Sequence, residues 1–123
     1  MGQLEGRVAI VTGAAQGIGA AFARGLAREG AKIAIADLDR GKAVVEEIRR
    51  AGGQAIDVPT DVAKEDACDA MVRATVEAFG RLDILVNNAA IFTSVERKPF
   101  DQIPVAEWDA VMGVNVRGVW LGC

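Results

Sequence analysis

The sequence predicts an α/β fold in which a doubly wound parallel sheet carries helices on both faces. Short apolar runs rich in β-branched residues alternate with segments whose apolar residues recur every three or four positions. A glycine follows each of the first three helical segments, at Gly30, Gly52 and Gly80. This alternation is typical of parallel strands joined by right-handed crossovers. The usual strand order of such sheets begins 3-2-1-4, and four strands are predicted here.

The individual elements follow from the same two periodicities. In the first helix, for example, Ile18, Phe22 and Leu26 recur at spacings of four. The predicted strands are Arg7–Thr12, Lys32–Asp37, Gln54–Thr60 and Leu82–Asn87; the predicted helices are Gly17–Glu29, Arg40–Ala51, Lys64–Phe79 and a fourth from Val105 onward, after a long loop over Ala90–Pro104.

Composition excludes several classes of function. The chain has 51% hydrophobic but only 5% aromatic residues, a net charge of −3, and neither His nor Tyr. An acidic balance without a basic patch argues against nucleic acid and anionic membranes as partners. Without His, and with Cys68 and Cys123 far apart, we expect no metal site and no disulfide. Cys68 is predicted to be a small core residue in a stripe with Val72, Val76 and Phe79. The N-terminus lacks signal-peptide features, so a cytoplasmic location is expected.

The chain is predicted to form the N-terminal part of one domain. With only four strands, the fourth would lie at the edge of the sheet, although it is apolar and normally has a neighbour on each side. The last residues, Val119 to Cys123, are apolar and carry no helix-stop signal. We therefore expect strands five and six to be missing and the chain to end within the fourth helix.

Three glycines lie in the first strand-to-helix turn, at Gly13, Gly17 and Gly19. Glycine allows a sharp turn and lets a pyrophosphate approach the backbone closely. The first amides of the following helix would then face the phosphates. The spacing is GxxxGxG rather than GxGxxG, and no GK[ST] follows, which excludes a nucleoside-triphosphate P-loop. Glycines at such a turn can also serve close packing alone.

Asp37 ends the second strand, where a carboxylate can accept hydrogen bonds from the hydroxyls of an adenosine ribose. The alternative is a turn-forming role in residues 37–40. The same carboxylate would repel a 2′-phosphate. Like charges about 4 Å apart repel each other by roughly 4 kcal/mol at an effective dielectric near 20, so Asp37 favours NAD over NADP. Arg40 is a nearby cation that could offset this repulsion, whereas Gln16 offers none.

Four motifs together resemble the short-chain dehydrogenase/reductase family. They are Thr12-Gly13-x-x-x-Gly17-Ile18-Gly19, Asp61-Val62, Asn87-Asn88-Ala89 and Asn115, in the family's order and spacing across essentially the whole chain. The resemblance implies a Rossmann-type NAD-binding domain and an oxidoreductase that moves a hydride between NAD and a carbonyl or secondary alcohol. The residues it places at the cofactor are Gly13, Gln16, Gly17, Ile18, Gly19, Asp37, Leu38, Asp61, Val62, Asn88, Ala89 and Ala90.

The resemblance also implies roles for individual polar residues. Asp61 would bind the adenine amino group, and Asn87-Asn88-Ala89 would brace the sheet beside the ribose. Asn115, the one catalytic residue of the family pattern within this chain, would hold a kink in its helix and a water that serves the catalytic Lys. It shares a predicted helix face with Trp108, Met112 and Val119, where a lone polar side chain needs a partner. Relatives commonly form tetramers or dimers, so a homo-oligomer is expected.

Two departures from the family pattern stand out. Ala90 occupies the usual position of a Gly, which would strain the backbone by about 1 kcal/mol if that position required a positive φ. The family's catalytic Ser and Tyr-x-x-x-Lys do not occur, so we expect these 123 residues alone to turn over no substrate.

Two other functions stay open at this point. A non-catalytic NAD-binding module, or a truncated regulatory relative, would carry the same motifs. A methyltransferase-like domain also places an acidic residue after its second strand, although the glycine spacing and Asn-Asn-Ala count against it. In the family, the loop over Ile91–Ile103 would border the substrate, but its residues indicate no particular substrate class.

Overall fold

The computed structural model describes residues 2–38, 40–92 and 94–123. Asp39, in the 37–40 turn, and Thr93, in the predicted loop, lie outside these residues. The strands are β1 (Val8–Thr12), β2 (Lys32–Ala36), β3 (Ala55–Asp57) and β4 (Ile84–Val86); the helices are α1 (Gly17–Arg28), α2 (Lys42–Arg50), α3 (Glu65–Phe79), α4 (Val105–Met112) and α5 (Gly118–Gly122). A 3₁₀ turn, Phe100–Gln102, precedes α4, and a π-helical turn, Gly113–Arg117, joins α4 to α5.

The four strands form one parallel sheet in the order β3-β2-β1-β4. The predicted fold class and strand order are therefore confirmed. Strand β3 is shorter than predicted and ends at Asp57, two residues before Pro59. The Val58 amide donates to the Ile35 carbonyl (2.9 Å) and the Thr60 amide to the Asp37 carbonyl (2.7 Å), so the segment after β3 stays beside β2 as far as Thr60.

The core lies on both faces of β1 and β2, whose apolar side chains are buried. One cluster includes residues of β1, β2, α1 and α2, and a second lies on the opposite face around Met71 of α3. Helix α1 packs through Gly19, Ala20 and Ala23, while Ile18 and Phe22 are 70% and 48% exposed. The predicted stripe thus identified the helix but not its buried face, because small residues allow closer packing on the sheet than large ones.

Helix α3 buries Cys68, Met71 and Thr75. The prediction that Cys68 is a core residue is confirmed, since it is only 3% exposed. Its thiol donates to the Val62 carbonyl (3.4 Å). Burial, followed by the negative charges of neighbouring aspartates, raises the pKa of this thiol. The predicted stripe is interrupted at Val76, which is exposed.

The region from α4 to α5 is far less buried. Helix α4 buries none of its residues, and Trp108, Met112 and Val119 are exposed. The single face predicted from α-helical spacing is interrupted because a π turn contains an extra residue. Within the described ranges, every helix is too short or too polar to cross a bilayer.

Candidate cofactor cleft

A cleft of about 460 Å³ opens at the carboxyl ends of β1, β2 and β4, the edge where doubly wound sheets bind ligands. Its volume lies in the range of small-molecule sites. Of the predicted cofactor residues, only Gly19 is absent from its wall. The lining residues are Gly13, Gln16, Gly17, Ile18, Ala36, Asp37, Leu38, Thr60, Asp61, Val62, Asn88, Ala89, Ala90, Ile91, Phe92 and Val114.

The three glycines of the first turn have different physical roles. Gly13 has φ +65°, and a Cβ there would lie 2.8 Å from the Ala89 Cα. Gly17 has φ +60°, but a Cβ there would have no atom within 4 Å, so its α-carbon faces open space. A Cβ on Gly19 would collide with the Asn88 side chain. Gly19 therefore allows close packing behind the turn, and Gly13 and Gly17 shape the cleft wall itself.

Asp37 connects the end of β2 to the glycine turn. One carboxylate oxygen accepts a hydrogen bond from the Ala15 amide (2.9 Å) and the other from the Leu38 amide (2.7 Å). Each carboxylate oxygen has two acceptor sites, so the group retains acceptor capacity towards the cleft. Asp37 thus ties the end of β2 to the glycine turn, and it borders the cleft; its role in binding a ribose stays a prediction.

Asp61 and Val62 form the wall beside β3. The Asp61 side chain accepts the Ala63 amide (3.0 Å), and its carbonyl accepts the Lys64 amide (3.1 Å), which turns the chain into α3. Val62 is buried and touches Gly118 so closely that a Cβ there would lie 2.8 Å from a Val62 methyl group. Residues from α3 and α5 therefore hold this wall in position.

Thr12 begins the first of the four motifs, but the sequence did not indicate its structural role. Its hydroxyl accepts the amides of Asn88 and Ala89 (3.0 Å each) and donates to the Val86 carbonyl (3.4 Å). A hydroxyl has one donor and two acceptor sites, so its capacity is filled. The available signal was a buried polar residue at the end of an otherwise apolar strand.

Asn88 and Ala90 complete this side of the cleft. The Asn88 side-chain amide donates to the Gly13 carbonyl (3.1 Å), which ties the end of β4 to the glycine turn. Positive φ angles among the described residues occur only at glycines, so Ala90 carries none of the strain considered from the sequence.

Asn115 lies at the centre of the π turn and connects it to the loop after β4. Its side-chain oxygen accepts the Ile91 amide (2.7 Å), and its side-chain nitrogen donates to the Ile91 carbonyl (3.0 Å). The expected partner of this polar residue is thus the backbone of Ile91. The two bonds fix Ile91 and Phe92 next to Val114 on the cleft wall. Among the described residues, no group of His, Cys, Asp or Glu could hold a metal ion.

Residues 7–123 match the short chain dehydrogenase family, and the chain therefore belongs to this family of oxidoreductases. The match excludes the methyltransferase alternative. The chain is 44% identical over 120 residues to an uncharacterized oxidoreductase from Thermotoga maritima, and the alignment covers 96% of this chain and 46% of that protein.

Two solved structures show the same fold. A short chain dehydrogenase from Burkholderia cenocepacia in complex with NADP has a TM-score of 0.90 and 42% identity, covering 98% of this chain and 49% of that one. A short chain dehydrogenase/reductase from Burkholderia phymatum in complex with NAD has a TM-score of 0.88 and 38% identity, covering 99% and 43%. The chain spans about half the length of these relatives.

Proposed function

We propose that this protein is an NAD-dependent oxidoreductase that moves a hydride between NAD and a carbonyl or secondary alcohol. The observation that carries the proposal is the Asp37 carboxylate at the end of β2, which lies at the glycine turn and on the wall of the cleft. The residues present fit a dinucleotide. Gly17 leaves open space for a pyrophosphate, and the first amides of α1 lack helical acceptors by geometry.

The choice between NAD and NADP depends on the chain's own residues, because relatives bind either one. Asp37 would accept hydrogen bonds from the ribose hydroxyls with its remaining acceptor sites. A 2′-phosphate would bring a second negative charge close to this carboxylate. Leu38 is 64% exposed at the cleft, so its apolar side chain is available to cover an adenine ring.

The other half of the cleft would hold the nicotinamide, which supplies the hydride chemistry when bound. Ile91, Phe92 and Val114 give this part of the wall an apolar surface. Asn115 positions that wall through the Ile91 backbone. We propose that the proton is handled by the Tyr of a family Tyr-x-x-x-Lys motif outside these 123 residues.

A non-catalytic dinucleotide-binding module is the second candidate. One observation favours it: the 123 residues contain neither Tyr nor His. We therefore expect these residues alone to bind NAD weakly, through its adenosine half, and to catalyse no hydride transfer. Sustained oxidation of NADH with ketones by the purified chain, at a rate proportional to its concentration, would contradict this expectation.

The cofactor proposal is tested with Asp37→Ala and calorimetric titrations of NAD and NADP. The unmodified protein should prefer NAD. The variant should lose about tenfold or more in NAD affinity, because the ribose contacts disappear. Its preference for NAD over NADP should narrow, because the repulsion of a 2′-phosphate disappears as well. Asp69→Ala, which removes an exposed carboxylate from α3, is the matched control and should change neither affinity. Equal affinity of the unmodified protein for NAD and NADP would refute NAD selectivity.

A further inference from the structure

Asp57, the last residue of β3, has a buried carboxylate oxygen that lacks a hydrogen-bond partner among the described residues. Its register partner is Ile35 of β2, so both side chains lie on the same face of the sheet. Ile35 is buried there in the cluster with α1 and α2. Buried polar atoms are normally hydrogen-bonded, and an exception calls for an explanation.

The unpartnered oxygen lies against the start of α2. Gly41 precedes this helix, and a Cβ on Gly41 would collide with that oxygen and lie 2.9 Å from an Ile35 methyl group. Helix α2 has no side-chain cap hydrogen bond among the described residues, and its first turn begins with Lys42 and contains no acidic residue. The partial positive charge at a helix N-terminus favours an anion. Asp57 therefore places a carboxylate from β3 beside a first turn that has no acidic residue of its own.

This carboxylate is close to the ribose end of the cleft. Asp37 follows Ile35 by two positions, and the Thr60 amide donates to the Asp37 carbonyl (2.7 Å), which keeps the two strands together. Strand spacing and rise then place the α-carbons of Asp37 and Asp57 about 8 Å apart. This separation is comparable to the Debye length of about 8 Å at physiological salt, and a buried charge is screened less than an exposed one.

The start of α2 is also where a 2′-phosphate would find stabilisation, because helix N-termini bind phosphates. In this chain a carboxylate already lies there. We propose that Asp57 is a second determinant of cofactor selectivity, which disfavours dinucleotides with a 2′-phosphate by offsetting the positive potential at the start of α2. This inference rests on the proposed dinucleotide site and assigns a residue outside the cleft wall to its selectivity.

The test measures dissociation constants of NAD and NADP for Asp57→Asn, which removes the charge and keeps the shape. We expect NADP affinity to rise about threefold to tenfold, as for one charge removed at this distance, while NAD affinity changes less than twofold. Asp57→Ser provides a second uncharged variant if Asn impairs folding, which circular dichroism would reveal. Glu46→Gln is the matched control, because it removes one exposed negative charge from α2, the helix beside Asp57.

The outcomes separate this inference from the proposed function. A rise in NADP affinity for the Asp57 variants but not for Glu46→Gln supports it. A proportional change of both affinities, or no change in either, overturns the role of Asp57 and leaves the site in place. If the unmodified protein binds neither dinucleotide, the proposed function and this inference fall together.

Discussion

The two sides of the cleft are built differently. The side formed by β1, β2, α1 and α2 is held by apolar packing, and the strands there are almost completely buried. On the side formed by β4, the loop after it and the π turn that follows α4, the strand is half-buried and α4 buries none of its residues. This side is held by side chains that bond to backbone groups, chiefly Thr12, Asn88 and Asn115.

The difference indicates which substitutions matter on each side. Where packing determines the geometry, added volume is the most damaging change, because interiors have little free space. Where hydrogen bonds determine it, the loss of one polar side chain leaves buried backbone groups unpaired. Both sides border one cleft, so either change should reach the ligand site.

The largest effect is expected at Gly13, where the two sides meet. Gly13→Ala adds a positive-φ strain and a contact with the Ala89 backbone, which together should lower the free energy of unfolding by about 2–4 kcal/mol. NAD affinity should fall as well. Gly6→Ala is the matched control, since Gly6 also has a positive φ (+78°) but a Cβ there would have no atom within 4 Å. Urea unfolding that gives equal losses for the two variants would contradict the packing role of Gly13.

A smaller effect is expected at Asn115, on the hydrogen-bonded side. Asn115→Ala leaves the Ile91 amide and carbonyl without this partner and should cost about 1–3 kcal/mol. Amide hydrogen exchange at Ile91 should accelerate more than at the β1 amides. Asn87→Ala serves as the control, because its side chain faces α5, where it donates to the Cys123 sulfur (3.7 Å) and packs against Gly122, and among the described residues it makes no hydrogen bond to Ile91. Unchanged exchange at Ile91 would show that something else holds the loop.

The contrast between the two sides also explains what the sequence could predict. Buried residues recur periodically along the chain, so the strands, α2 and the core position of Cys68 could be recognised from apolar spacing. The strand order was predicted from the usual topology of doubly wound sheets. The glycine turn and Asp37 were recognisable because their residue types are needed at fixed positions along the chain. Gly13, Gly17 and Asp37 lie on the wall of one cleft, and their role in binding a cofactor stays a prediction.

Features that depend on non-periodic contacts could not be predicted. The role of Thr12 requires knowing that two amides from the end of β4 come to its hydroxyl across 76 and 77 positions. The π turn breaks the helical spacing on which the predicted face of α4 depended. The open space at Gly17 and the collision at Gly19 distinguish two glycines that look alike in the sequence. The oligomeric state stays a prediction.

The smallest perturbation tests, with no substitution, the packing of α3, which covers the second face of β1 and β2 through Met71. The chain contains two thiols in opposite environments. Cys68 is buried, and burial raises the pKa of its thiol above the ordinary value, whereas Cys123 is exposed. The thiolate is the reactive form, so a raised pKa and poor access both slow alkylation. Iodoacetamide at neutral pH should therefore modify Cys123 first, and Cys68 should react at a comparable rate only in denaturant. Peptide mass spectrometry after a time course distinguishes the two sites, and Cys123→Ser confirms the assignment. Fast modification of Cys68 in the folded chain would mean that α3 opens readily from the sheet, and the sharp contrast between a packed and a hydrogen-bonded side would no longer hold.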